Sequence, residues 1–187
     1  RYSMPEWIVR RWMEEYGMEK TETMLEALLE KRPLTIRLSE RLSEEEKESL
    51  LQAFQEQGCM PIPHPLSGEE PSAERSVYML EGAEGVASLP GFAEGAFAVQ
   101  DAASMMAVEC AGIRELVRIQ RQKAGAPEDA EELLILDVCA APGGKACQAA
   151  ELLEGTGMVL ARDLTEGKIA YIRDNAARLR LSNLHAQ

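Results

Sequence analysis

The chain has 187 residues, enough for one large domain or two small ones, and 45% of them are hydrophobic, which is ample for a packed core. Its 32 acidic and 20 basic residues give a formal net charge of −12, which argues against non-specific polyanion binding because that needs clustered Lys and Arg. No apolar run reaches the roughly 20 residues of a membrane span. The four cysteines lack metal-type spacing, so we expect no metal site and a reduced, cytoplasmic setting.

The first part of the chain, residues 1–98, predicts a small α+β module. Its expected elements, in chain order, are a helix that ends at Gly17, a helix at Thr21–Glu30, a strand at Leu34–Leu38, a helix at Ser43–Gln57, and strand candidates at Val77–Leu80 and Val86–Leu89. Capping-box patterns at Ser3–Glu6 and Ser43–Glu46 support the first and third helices. The spacing of Trp7 and Trp12 predicts core packing, and the proline-rich stretch 61–71 predicts a loop or an extended connector.

Residues 99–132 predict a helical connector and an acidic linker. The helical pattern covers residues 100–123, and the linker covers residues 125–132. Gln100 and Asp101 stand where they would either cap this helix or face a neighbouring cleft. Arg114, Arg118 and Arg121 recur at helical spacing, either as a basic stripe or as a solvated face paired with acidic residues. The net charge favours the solvated face.

Residues 133–187 predict the beginning of an α/β domain. The expected order is a strand at Leu133–Val138, a glycine turn, a helix at Lys145–Leu153, a strand at Met158–Arg162 and a helix at Glu166–Leu181. The unbroken apolar run Leu133–Leu136 predicts a strand that is buried on both faces. Alternating strands and helices of this kind build a parallel sheet.

The turn at Cys139–Gly144 has the features of a nucleotide-type cofactor site. It follows a predicted strand, and ligands of open parallel sheets bind beyond the carboxyl ends of the strands. Gly143 and Gly144 let backbone amides approach a ligand at the positive end of the next helix. Asp163, at the end of the second strand, is placed to accept hydrogen bonds from ribose hydroxyls.

Three other interpretations of this turn compete. A P-loop is excluded, because it needs a glycine where Cys139 stands and a Ser or Thr where Ala146 stands. A dinucleotide site is disfavoured, because the Gly-x-Gly-x-x-Gly pattern is missing. A tight strand-to-helix turn without any ligand stays open on the residues alone, although the position of Asp163 counts against it.

The segment Asp137-Val-Cys-Ala-Ala-Pro-Gly-Gly-Lys145 resembles the S-adenosylmethionine motif of the Sun/Fmu-type (Nop2/Sun) RNA cytosine-C5 methyltransferases. Three upstream segments resemble the bacterial ribosomal-RNA members of that family, in the right order: Arg1–Trp7, Arg32–Arg37, and Leu89–Phe92 together with Gly95–Ser104. The resemblance implies an α/β fold, with an incomplete Rossmann-like methyltransferase domain that follows a small α+β RNA-binding-type module.

The resemblance also implies a cofactor and the residues that hold it. The cofactor would be S-adenosylmethionine, and its implied binding residues are Cys139, Ala140, Ala141, Pro142, Gly143, Gly144, Lys145 and Asp163. Lys145 would meet either the cofactor carboxylate or a nearby acidic side chain, and the alternative is that it only caps the turn. RNA, specifically 16S ribosomal RNA, is the implied partner.

The catalytic residues implied by the resemblance are missing from this chain. Relatives attack cytosine C6 with a cysteine thiolate, methylate C5 and use a second cysteine for product release, in Asp-Ala-Pro-Cys and Thr-Cys-Ser loops that do not occur here. We therefore expect the nucleophile beyond Gln187, an inactive fragment of a longer enzyme, and association through an exposed sheet edge. Cys139 belongs to the cofactor turn, and Cys110 and Cys147 are expected in the core. The alternative function is a non-catalytic RNA-binding or assembly factor with a vestigial cofactor loop.

Overall fold

A computed structural model describes residues 2–30, 33–65, 76–123 and 132–187 of the chain. It divides into two compact units, Arg1–Arg32 and Pro33–Gln187. Most of the predicted acidic linker and the end of the predicted proline-rich loop lie outside the described residues. The predicted divisions at residues 98 and 132 stay predictions. No helix in the described ranges is long and apolar enough to cross a membrane.

The first unit consists of two helices, α1 at Glu6–Tyr16 and α2 at Met18–Ala27, which meet at Gly17. The prediction of a helix that ends at Gly17 is confirmed, but the capping box at Ser3 is wrong. Pro5 precedes the first helical residue and no side chain caps it, because Ser3 lies two positions too early. The prediction that Trp7 packs in the core is wrong as well, since its side chain is 68% exposed.

The second unit begins with a four-stranded antiparallel sheet and one helix. These elements are β1 (Leu34–Leu38), α3 (Glu44–Glu56), β2 (Met60–Pro63), β3 (Val77–Glu81) and β4 (Phe97–Val99), and the strand order is β2-β3-β1-β4. β1, α3 and β3 confirm the predictions. β2 and β4 were not predicted. The strand candidate at Val86–Leu89 is wrong, because the N–H of Leu89 donates to the carbonyl of Val86 and closes a turn instead.

Helix α3 packs its apolar face on this sheet. The predicted capping box is present: the hydroxyl of Ser43 accepts the N–H of Glu46 at 3.2 Å, and the Glu46 carboxylate accepts the N–H of Ser43 at 2.8 Å. Phe54 of α3 meets Phe97 of β4 edge to face, with 5.6 Å between the ring centroids. Both rings are fully buried with Ile36 of β1, so this cluster is the core of the small module.

The rest of the second unit is a parallel sheet with four helices. Its elements are α4 (Ala102–Glu109), α5 (Ile113–Lys123), β5 (Leu133–Asp137), α6 (Gly144–Leu152), β6 (Gly157–Ala161), α7 (Glu166–Arg178) and β7 (Leu184–Ala186), and the strand order is β5-β6-β7. The predicted single helix at 100–123 is two helices, because Gly112 adopts a positive φ of 68° between them. β7 was not predicted, because three residues carry too little periodic signal.

Strand β5 is covered on one face only, among the described residues. Ile135 packs against the core, whereas Leu134 and Leu136 are 64% and 54% exposed and Val138, just beyond the strand, is 71% exposed. The prediction of a strand buried on both faces is therefore wrong for the part of the chain that the structure describes. β5 is also an edge of its sheet, since its described partner is β6 alone.

Helix α6 lies at the centre of the second unit. All of its residues from Ala146 to Leu152 are buried. It contacts the three parallel strands on one side and α4, α5 and α7 on others. A helix that is surrounded in this way must find partners for any polar side chain it carries, because an unpaired buried polar group is costly.

Candidate cofactor site

The predicted glycine turn lies at the carboxyl ends of β5 and β6. The N–H of Arg162 donates to the carbonyl of Asp137 at 2.7 Å, and the N–H of Ala140 donates to the carbonyl of Arg162 at 3.0 Å. The Asp137 carboxylate also accepts the N–H of Cys139 at 3.2 Å. These bonds fasten the start of the turn to both strands, at the edge where ligands of parallel sheets bind.

The fold requires glycine at one of the two glycine positions of the turn and tolerates a side chain at the other. Gly143 has a φ of 106°, which a side chain rarely adopts, and an added Cβ would lie 3.4 Å from Cα of Ile172. Gly144 has no left-handed backbone, and its added Cβ would make only ordinary contacts, 3.5 Å from Cγ of Gln100. The fold therefore needs glycine at 143 and not at 144. Glycine at 144 is therefore explained neither by backbone conformation nor by packing among the described residues.

Asp163 is joined to the turn by its carboxylate, and its predicted contact with ribose hydroxyls stays a prediction. One carboxylate oxygen accepts the N–H of Ala141 at 3.0 Å, and the other accepts the N–H of Leu164 at 2.7 Å and the ammonium of Lys168 at 3.0 Å. The N–H of Ala141, followed by the N–H of Leu164 and the Lys168 ammonium, holds the pKa of the Asp163 carboxyl below its ordinary value. Asp163 is therefore ionised at neutral pH.

An ionised carboxylate has about four acceptor positions, and Asp163 uses three of them within the described residues. The side chain is 3% exposed, so the surrounding residues cover most of the carboxylate. The arrangement thus combines a fixed anionic acceptor at the end of β6 with a backbone turn at the N-terminus of α6. That combination suits a ligand with hydroxyl groups and a further anionic group.

Lys145 follows the turn with an exposed side chain. Within the described ranges, its ammonium has no hydrogen bond and no ion pair. The implied contact of Lys145 with a nearby acidic side chain is therefore not seen within the described ranges. Its implied contact with a cofactor carboxylate stays a prediction. The described residues contain no group of His, Cys, Asp and Glu that could hold a metal ion.

The cysteines divide into two buried and two exposed. Cys59 and Cys147 are buried, and Cys110 and Cys139 are exposed. Burial raises the pKa of the Cys147 thiol to about 12, so this thiol is an inert part of the core, as predicted. The core prediction is wrong for Cys110, because this residue caps the C-terminal end of α4 at the surface.

Two further side chains contact the turn, and only one of them, Gln100, was considered for this position from the sequence. The side-chain amide of Asn175, on α7, donates to the carbonyl of Pro142 at 2.9 Å. Gln100, 5% exposed, packs against Gly144. The structure assigns one of the two alternatives to each residue. Asp101 caps α4 by accepting the N–H of Ala103 at 2.9 Å, and Gln100 faces the turn.

The arginines of α5 are paired with acidic residues. Arg114 donates to Glu40 at 2.6 Å, Arg118 to Glu115 at 2.6 Å and Arg121 to Glu154 at 2.6 Å. The interpretation of a solvated, paired face is therefore confirmed over a basic stripe. These exposed pairs contribute little to stability.

Comparisons with known proteins agree with this geometry. Residues 124–187 match the family model described as 16S rRNA methyltransferase RsmB/F, and residues 4–69 match the ferredoxin-like domain of the same RsmF/B-like methyltransferases. Two similar relatives are the ribosomal RNA small subunit methyltransferases B of Vibrio cholerae, 33% identical over 185 residues, and of Serratia proteamaculans, 31% identical over 181 residues. Each match covers 97% of this chain and 36% of the relative.

Solved structures share the fold. A methyltransferase homolog protein from Pyrococcus horikoshii matches with a TM-score of 0.65 and 22% identity, over 99% of this chain and 52% of that one. NSun6 from Pyrococcus horikoshii, solved with SFG, matches with a TM-score of 0.68 and 16% identity, over 97% of this chain and 64% of that one.

The parallel β5-β6-β7 sheet with its glycine turn and acidic strand end is part of a Rossmann-like methyltransferase domain, and it follows a ferredoxin-like module. Over nearly its whole length the chain is similar to the RsmB/F-type ribosomal-RNA methyltransferases. It spans about a third of the length of the curated relatives that it matches. The predicted fold class is confirmed.

Proposed function

We propose that the protein to which this chain belongs methylates C5 of a cytosine in 16S ribosomal RNA, with S-adenosylmethionine as the methyl donor. The names of the relatives, which are small subunit ribosomal RNA methyltransferases, support the substrate class. The bond between Ala141 and Asp163 is the observation that carries the cofactor assignment, because it joins the glycine turn to the acidic strand end in one site.

In this proposal the residues Cys139–Lys145 hold the methionine part and Asp163 holds the ribose. The cofactor supplies the methyl group. The fit is supported by two properties of the chain: the turn opens a helix at its positive end, and the ionised Asp163 carboxylate is held beside it by the N–H of Ala141. Within the described ranges, Lys145 adds a cation without an ion pair. The nucleophilic cysteine is proposed to lie in the part of the protein beyond Gln187.

The proposal keeps the division into a small RNA-binding-type module at 1–98, a connector at 99–132 and the methyltransferase part at 133–187. It also includes a cytoplasmic location, as suits an enzyme of ribosomal RNA. Association of this chain alone through the open edge of β5 is supported by the exposed Leu134 and Leu136.

Gly144→Ala tests the cofactor assignment, with Gly167→Ala as the matched control. Both glycines lie at the start of a helix, and neither added Cβ would clash. Each variant should keep the fold, because alanine favours a helix by about 0.5–1 kcal/mol over glycine. In the complete gene product, calorimetric affinity for S-adenosylmethionine should fall about tenfold or more in Gly144→Ala and stay unchanged in Gly167→Ala. Equal affinity in the wild type and both variants would show that the turn does not bind the cofactor.

The reaction product distinguishes an enzyme from the alternative, a non-catalytic RNA-binding or assembly factor. The complete gene product is incubated with S-adenosylmethionine and unmodified 16S ribosomal RNA, and 5-methylcytosine is measured in the RNA. We expect the modified base to appear. RNA binding without any 5-methylcytosine would favour the assembly factor.

A further inference from the structure

Helix α6 carries two polar side chains into the centre of the second unit. Gln148 is 1% exposed and Glu151 is 7% exposed, and both lie among apolar neighbours such as Leu152 and Leu153. A buried carboxylate or amide without partners would cost several kcal/mol. The partners of these two side chains therefore show what the interior of the unit is built around.

Those partners come from β1 and the residue after it in the small module, from Gln100 after β4, and from helix α4. On α4, the carboxylate of Glu109 accepts the amide nitrogen of Gln148 at 3.1 Å and the carbonyl of Met105 accepts it at 3.4 Å. The guanidinium of Arg37, on β1, forms a buried ion pair with Glu151, and the hydroxyl of Ser39 donates to the same carboxylate at 2.8 Å. Gln100, just after β4, donates through its amide nitrogen to the side-chain oxygen of Gln148 at 2.7 Å. We call Arg37, Ser39, Gln100, Gln148 and Glu151 the polar cluster; each is at most 7% exposed.

Gln100 is held from both sides within the polar cluster. Its amide oxygen accepts Nε of Arg37 at 3.2 Å, while its amide nitrogen donates to Gln148. These two bonds fix the orientation of the amide and so fix the aliphatic part of the side chain. That part lies against Gly144, with Cγ 3.5 Å and Cδ 3.7 Å from the position of an added Cβ.

We propose that Gln100 is a positioning residue for the cofactor turn, held in place by Arg37 of the small module and Gln148 of α6. The small module would thereby help to preorganise the site for the methyl donor without touching it. This inference rests on the proposed cofactor role of the turn. Supporting groups of this kind matter because a site loses affinity when the side chains behind it leave its geometry loose.

A purely space-filling role for Gln100 makes a different prediction. Methionine matches glutamine in length and shape but forms no strong hydrogen bonds, so Gln100→Met keeps the packing and removes both bonds. If Gln100 only fills space, this variant should leave the turn unchanged. If Gln100 positions the turn, the turn should loosen. Gln52→Met is the matched control, because Gln52 is exposed on α3 and its amide donates to the neighbouring Glu56 carboxylate at 3.0 Å, away from the polar cluster.

The experiment measures two properties of the complete gene product. Hydrogen–deuterium exchange of peptides covering residues 139–148 reports the turn without any ligand. Calorimetry reports the affinity for S-adenosylmethionine, and thermal unfolding shows that each variant is folded. In Gln100→Met we expect faster exchange over 139–148 and an affinity about tenfold lower, the equivalent of about one hydrogen bond. Gln52→Met should match the wild type in both measurements.

Gln148→Met adds a second test of the same positioning. Gln148→Met removes the bond to Gln100 together with the bonds of Gln148 to Glu109 and Met105 on α4. Because the bond between Gln100 and Gln148 is lost in either single variant, the double variant should lose less affinity than the sum of the two single losses, whereas two independent packing defects would add. Wild-type exchange at 139–148 and affinity within twofold in Gln100→Met would overturn the inference. A wild-type protein that binds no S-adenosylmethionine would overturn the proposed function instead, and the exchange data would still decide the role of Gln100.

Discussion

The carboxylate of Asp163 accepts the backbone N–H of Ala141 at 3.0 Å, between residues 22 positions apart in the chain. The bond connects the end of β6 to the middle of the turn that follows β5. A side chain that was expected to face a ligand thus also holds the turn in shape. Both roles use the ionised carboxylate, so both depend on the same proton equilibrium.

Asp163→Asn should weaken the site and alter the acid stability. The amide keeps the shape but places an N–H group toward a backbone donor, so affinity for S-adenosylmethionine should fall about tenfold or more. Because the folded-state pKa of Asp163 lies below the ordinary value of 3.8, its contribution to stability is complete above that value and is lost as the pH falls through the folded-state pKa. The stability difference between wild type and variant should therefore shrink at acid pH.

Urea unfolding at pH 7 and at pH 3 measures this difference. Asp174→Asn is the control, because Asp174 is an exposed residue of α7 and should give the same stability as the wild type at both pH values. A gap between Asp163→Asn and the wild type that is equally large at both pH values would contradict the linkage.

Glu151→Gln should be one of the most destabilising single changes in the second unit. It leaves the buried guanidinium of Arg37 without its counter-charge, and breaking a buried pair on one side costs about 3–5 kcal/mol. Chemical denaturation gives the free energy of unfolding. Glu166→Gln, which breaks the exposed pair with Arg173, should cost less than about 1 kcal/mol.

Replacing both partners of the buried pair separates charge from packing. The double variant Arg37→Met with Glu151→Leu should recover much of the stability lost in Glu151→Gln. It removes both charges of the pair, so no unpaired charge stays buried. A double variant less stable than Glu151→Gln would show that the remaining bonds of Gln100 and Ser39 dominate.

The four thiols should differ in reactivity and in their effect on alkaline stability. Native protein treated with iodoacetamide at pH 8 should be modified at the exposed Cys110 and Cys139 and spared at Cys59 and Cys147. Because the folded-state pKa of Cys147 is about 12 against an ordinary 9.0, the unfolded state loses this proton first, and stability should fall as the pH rises above 9. Peptide mass mapping locates the modified thiols, and labelling of Cys147 at the rate of Cys139 would contradict its burial.

Elements with local signals were predicted from the sequence, and elements made by pairing were not. The capping box at Ser43–Glu46 and the alternation of Leu34–Leu38 are local, so α3 and β1 appear where expected. β4 and β7 have three residues each and exist because neighbouring strands pair with them. The burial of Leu133–Leu136 was wrong for the same reason, since the sequence of a strand does not state what covers its faces.

The candidate site divides along the same line. The turn at Cys139–Lys145 and Asp163 follow from strand order, because carboxyl ends of parallel strands meet at one edge. The contact between Gln100 and Gly144 depends on how the small module docks on α6, which no local pattern encodes. Gln100 was recognised only as a residue with two possible positions.

The polar cluster has a consequence for protein engineering. A natural engineering design is a chimera in which the small module of one relative replaces that of another. Such a graft would bring its own side chains to face Gln148 and Glu151, and a mismatch would bury a carboxylate opposite a foreign residue. A working chimera therefore has to transfer all five residues of the polar cluster together. Since Gln148 and Glu151 lie on α6, the exchanged residues extend beyond the small module.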